Sequence, residues 1–142
     1  MARLTNGGSS QNIRPMHEEN KAILMSLVPV AWADGKFADQ EKEVLDALLE
    51  AFGATEDEAA ELRNYAETPR TVEDIPITEL SFDDRRVLLQ HAVFLSYADG
   101  DPSEPEVKLI DEMVEKLRIP GDEASALREA ASDRAKRYLN TL

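Results

Sequence analysis

Val44, Leu45, Leu48, Leu49 and Phe52 are spaced i, i+1, i+4, i+5 and i+8, and Leu109, Ile110, Met113, Val114 and Leu117 repeat that spacing 65 positions later. Each run forms one apolar stripe, which predicts amphipathic helices over about 39–53 and 103–118. Upstream of each stripe, about 18–34 and 82–98 are apolar on nearly every face in their second halves, as in a helix at the centre of a bundle. Pro29 lies inside the first of these and predicts a kink or a loosened turn. Asp34-Gly35 and Asp99-Gly100 stop both helices, because glycine readily takes the left-handed conformation that closes a helix C-terminus. A third helix starts near Thr55, where Glu58 completes a capping box, and its counterpart starts near Asp122. Ser81 with Asp84 and Ser103 with Glu106 mark two further starts, and Pro105 is compatible with a first turn. Residues 69–81 (PRTVEDIPITELS) hold two prolines and too few periodic apolar positions for a helix. No run alternates as a strand would.

The 65-residue offset extends well beyond the stripes. Residues 21–66 overlay 86–131 without a gap, with identities at 14 of 46 positions, among them Ala33/Ala98, Asp34/Asp99, Gly35/Gly100, Glu41/Glu106 and Arg63/Arg128. A gapless register of this kind marks an internal repeat. The expected fold is all-α: a compact helical bundle built from two pseudo-symmetric three-helix repeats. The expected organisation is a flexible tail over 1–17, rich in Gly, Ser and Asn, followed by one helical domain over 18–142.

Composition narrows the chemistry. A chain of 142 residues with 42% hydrophobic residues can bury a sizeable core without cross-links. It has no cysteine, which excludes disulfides, zinc thiolate sites and thiol chemistry. The formal charge is −13. Residues 1–17 and 126–142 are each +2, so the body between them holds −17. Nucleic acid and anionic membranes, which need clustered Lys and Arg, fit this balance poorly. A cation or a basic partner fits it better, although most of the acid is expected to be ordinary solvated helix surface. The longest apolar stretch, Ala22 to Ala33, is about 12 residues against the roughly 20 needed to span a bilayer, so membrane insertion is not expected. Without a recognisable targeting signal, a cytoplasmic location is expected.

The candidate chemistry lies at the two corners where Asp34-Gly35 leads to Glu41 and Asp99-Gly100 leads to Glu106. Carboxylates are hard oxygen ligands and gather where Ca²⁺ or Mg²⁺ binds. The spacing D-G-x5-E matches the second half of an EF-hand loop. The first half is missing: Val30 and Trp32, or Leu95 and Tyr97, stand where its early oxygen ligands belong. The alternative is structural, with each Asp bonding its own turn and each Glu capping the next helix. The two roles are compatible, since a capping carboxylate keeps a spare oxygen. His91, on the second central helix, is expected to be a hydrogen-bonded core residue rather than a ligand, and His17 has no evident partner. Trp32 and Tyr97 are expected to cap the core with a polar edge. The exposed acid pairs Asp46/Glu50 and Asp111/Glu115 repel weakly and hint at a cationic partner. No nucleophile–base pair or phosphate-binding loop is present, and nothing resembles an active site.

The segments A-W-A-D-G-K-F-A-D-Q-E-K-E and S-Y-A-D-G-D-P-S-E-P-E-V-K resemble the paired A-x-A/S-D-G…E corners of the TerB family, the tellurite-resistance proteins, over about 20–131. The resemblance implies a compact helical bundle of the bacterial cytoplasm, associated with tellurite resistance and stress responses and not established as an enzyme. It also implies metal chelation through the shared acids, here Asp34, Glu41, Asp99 and Glu106. Pro29 and Pro105 depart from the family pattern near the corners.

The leading expectation is therefore a non-enzymatic, acidic binding module that takes a divalent cation (Ca²⁺, Mg²⁺, Mn²⁺ or Zn²⁺) or a basic protein surface. One alternative is a structural or oligomerising protein whose corner acids are only caps. Another is a carboxylate–metal hydrolase, which would require both corners and His91 in one pocket.

Overall fold

The computed structural model describes residues 18–33, 35, 39–97 and 100–140, which capping residues and apolar periodicity divide into six α-helices. They are α1 (Glu18–Ala31), α2 (Asp39–Ala51), α3 (Glu56–Ala66), α4 (Phe82–Ser96), α5 (Glu104–Leu117) and α6 (Gly121–Asn140). No strand occurs among the described residues. The expected tail over 1–17 lies outside them. Thr55, Ser81 and Ser103 each accept from the backbone N–H three residues on, and the acid there accepts from the cap N–H, so all three capping boxes form as expected.

The nearly all-apolar helices occupy the centre. The closest packing is between α1 and α4, with α6 and α5 against α4 and α3 and α2 against α1. Leu24, Leu27, Leu88 and Leu89 are fully excluded from solvent, and one contiguous set of buried apolar residues draws on all six helices.

The helix of α1 continues through Pro29 to Ala31, within the span expected from the sequence. Proline lacks the N–H that would bond Met25, and just past the helix end the Trp32 N–H still donates to the Val28 carbonyl at 3.1 Å. Residues 69–81 contain no α-helix, as expected, but they include two 3₁₀ turns, Val72–Asp74 and Ile77–Glu79. Thr71 and Asp74 cap the first reciprocally, giving this proline-bearing linker local order that apolar periodicity does not reveal.

Several backbone features recur 65 positions apart. Gly35 and Gly100 both have positive φ, and their N–H groups donate to the carbonyls of Trp32 and Tyr97 at 2.9 and 3.2 Å. Gly53 and Arg118 both adopt the left-handed conformation after α2 and α5. Arg118, at φ 59, is a side-chain-bearing residue where Gly53 has none, and this conformation is strained for any residue with a Cβ. Arg118→Gly is expected to raise stability by about 0.5–1 kcal/mol, readable as a higher urea midpoint at unchanged m-value.

Candidate functional site

Each corner joins a central helix to an amphipathic one through a glycine turn. The apolar ends of α1 and α4 are held down by their aromatic residues, which carry the polar edges expected of them. Trp32 Nε1 donates to the Ala66 carbonyl at 2.7 Å, and the Tyr97 hydroxyl meets Ser132 Oγ at 2.6 Å. These bonds tie each corner to the end of α3 or to α6, so the turn that follows starts from a fixed point.

Glu41 and Glu106 lie in the first turns of α2 and α5 and are almost wholly buried, at 2% and 3% exposure. Glu106 Oε1 accepts from the Ser103 N–H at 2.8 Å, while the Glu106 N–H donates to Ser103 Oγ at 3.3 Å. A buried carboxylate is unusual without compensation from hydrogen bonds, cations or metal, which sets these two apart from the rest of the acid. Asp39, Asp101 and Glu104, which flank them, are exposed. Asp34 and Asp99 lie outside the described residues. Among the described residues no three His, Asp or Glu side chains come together as a metal cage. Any cation held here would therefore need the two aspartates, backbone carbonyls or water alongside the glutamates.

The flanks of the two corners meet. A groove of about 460 Å³ is lined by Ala33, from the end of the first central helix, and by Glu104, Pro105, Lys108, Leu109 and Glu112 of α5. The approach of these two segments has no signature in sequence spacing, because it depends on how α1 crosses α5.

The exposed acid pairs have a cation within the chain. Arg63 Nε donates to Asp46 Oδ1 at 3.0 Å, and Arg128 Nη1 donates to Asp111 Oδ1 at 2.6 Å. The partner hinted at by Asp46 and Asp111 is thus the third helix of the same half. Their joint recurrence with Arg63 and Arg128 at the 65-residue offset was the available signal. A second recurrent position is Lys21, paired with Glu61, and Arg86, which grips Glu123 through two nitrogens. The Arg86 hydrogen bond and charge hold the Glu123 carboxyl below its ordinary value and raise the guanidinium in turn.

His91 departs from expectation. It is half-buried and meets Phe52 edge-on, with ring centroids 5.8 Å apart, rather than a hydrogen-bonding partner among the described residues. It also does not join Glu41 and Glu106 in a metal-binding group. Burial, and secondarily the charge of Arg134, lowers its pKa below the ordinary 6.5. The folded chain therefore resists a proton that the unfolded chain accepts, and stability falls as pH drops through the unfolded value near 6.5 towards the lower folded one. His91→Gln is expected to flatten the part of the melting-temperature decline between about pH 7 and pH 5 that this histidine causes, with little change above about pH 7.5. Parallel thermal melts of the two proteins across that range would check it.

Among the described residues no helix is long and apolar enough to cross a membrane. The family model for tellurite resistance protein TerB matches residues 20–129. No curated protein and no solved structure gives a significant match to the chain.

Proposed function

The chain belongs to the TerB family, and on that premise we propose that it is a non-enzymatic helical binding module whose duplicated acidic corners hold a divalent cation, with Asp34, Glu41, Asp99 and Glu106 as ligands. The observation that carries this reading is the burial of Glu41 and Glu106, at 2% and 3% exposure, at positions 65 residues apart after glycines of positive φ. A divalent cation offsets the cost of burying carboxylate charge, and all four groups are hard oxygen donors suited to Ca²⁺, Mg²⁺ or Mn²⁺. Zn²⁺ would have to bind these four carboxylates through oxygen alone, without the thiolate or imidazole donors it usually takes. The two halves act as pseudo-symmetric repeats within one domain over 18–142, each contributing a Gly turn, a buried Glu and an Asp–Arg bridge. The setting is a bacterial cytoplasmic response to tellurite or related stress. In the absence of any thiol, the contribution to resistance would be indirect.

A ligand that binds only the native state stabilises it by RT ln(1 + [L]/Kd), about 2.7 kcal/mol at a hundredfold excess over Kd. The melting temperature is thus expected to rise with at least one of Ca²⁺, Mg²⁺, Mn²⁺ and Zn²⁺, and Asp34→Ala with Asp99→Ala to abolish the rise. No shift with any ion would remove the cation reading.

The capping box at Ser103 favours a second reading, in which the corner acids serve only the helix ends and the module is structural. Glu106→Gln would then lower the melting temperature equally with and without ions.

A further inference from the structure

We propose that the outer face of α5 is a docking trough for a basic, extended segment of a partner protein. This deepens the binding-module reading and rests on it, but it uses a surface separate from the buried corner acids. The groove beside Ala33 is not isolated. A second groove of about 480 Å³ lies between α5 and the first 3₁₀ turn, lined by Thr71, Val72, Glu73, Glu115 and Lys116, and Glu112 lines both. The two adjoin at Glu112 and follow the same helix, and we read them as one trough along α5. Pro105, Leu109 and Val72 supply apolar contact.

Charge commits the trough to one kind of occupant. Glu104, Lys108 and Glu112 are exposed and fall at i, i+4 and i+8 on one helix face. Neither Glu104 nor Glu112 is in an ion pair among the described residues, whereas Glu73 is already tied to Lys116 at 3.2 Å. Two carboxylates without an ion pair among the described residues thus stand about 12 Å apart along the helix axis, with a cation between them. An extended segment rises about 3.3 Å per residue, so cations about four residues apart would reach both glutamates. The residue between them must carry no positive charge, because Lys108 stands there. The occupant is therefore a strand-like segment of pattern cation-x-x-x-cation with apolar intervening residues. An acidic segment would meet Glu104 and Glu112 directly.

The test is fluorescence anisotropy with a fluorescein-labelled ten-residue peptide carrying two arginines four positions apart in an otherwise Ala/Leu/Ser sequence. EDTA is present throughout, so the outcome does not depend on the cation reading. Saturable binding is expected at low salt, weakening at least tenfold when the arginines are adjacent and at least tenfold with Glu112→Lys. Lys108→Ala should tighten it. Glu50→Lys, an equal charge change at an exposed site on α2, should leave it within about twofold. No binding up to millimolar protein would overturn the proposal. So would equal weakening by Glu50→Lys and Glu112→Lys, which would reduce the effect to diffuse attraction by an acidic body. In either case the ion-dependent melting of the corners would stand or fall on its own.

Discussion

Leu89→Ala is expected to destabilise the protein by about 3–5 kcal/mol. Leu89 is fully excluded from solvent on α4, the helix that packs most closely against α1 and also supports α5 and α6. Truncation there removes buried methyl groups and leaves a cavity bounded by several helices, none of which can close it without disturbing another contact. Leu24 occupies the matching place on α1 and is equally buried. If the two helices carry the core together, Leu24→Ala costs a comparable amount, and the double variant falls below the stability typical of a domain this size. Urea denaturation followed by circular dichroism would measure both. A loss under about 1 kcal/mol for either variant would mean that the α1–α4 pair is not the centre of the core.

Arg85→Ala is expected to cost about 2–4 kcal/mol, a large effect for a side chain that is not apolar. Its half-buried guanidinium donates to three backbone carbonyls: Leu80 from Nε, Leu117 from Nη1 and Ile77 from Nη2, each at 3.2 Å. It also lies over the Phe82 ring. One side chain thus joins the linker, the start of α4 and the last carbonyls of α5, which a helix C-terminus leaves without intrahelical donors. Removing it takes the side-chain donor from all three and strands the Leu80 and Leu117 carbonyls, while the Ile77 carbonyl keeps the Leu80 N–H at 3.1 Å. Arg85→Lys should recover only part of the loss, because an ammonium lacks the planar fork that reaches three directions. Since Arg85 fixes the C-terminal end of α5, Arg85→Ala should also loosen the docking trough. Faster amide hydrogen exchange at Leu117 and Arg118 than in the rest of α5 would show this.

The sequence made the helices legible because their signals are local. Thr55, Ser81 and Ser103 announce helix starts with an acid three residues later, and Gly35 and Gly100 announce stops. The 65-residue register tied Glu41 to Glu106 before any geometry was known, and both proved to be buried alike. Features that depend on crossing helices were not legible. Arg85 bonds carbonyls, which every residue offers, so its partners leave no mark in the sequence. Asp46 and Arg63 are 17 positions apart on different helices; their joint recurrence as Asp111 and Arg128 marks them, but packing is needed to show that the pair neutralises the acid at Asp46 within the chain. The trough arises from the meeting of Ala33 with α5, and the two 3₁₀ turns follow from caps rather than periodicity. His91 suited a hydrogen-bonded core role by residue type alone, whereas among the described residues it meets the Phe52 ring instead.

The central claim is that Asp34, Glu41, Asp99 and Glu106 together hold a divalent cation. Equilibrium dialysis against Mn²⁺ and Ca²⁺, with metal content read by mass spectrometry, tests it most directly. The account predicts saturable retention of at least one of these ions by the wild-type chain, and its loss when Asp34 and Asp99 are replaced by alanine in a protein that still gives a helical circular-dichroism spectrum. Retention of neither ion, or equal retention by the wild-type chain and the variant, would contradict it.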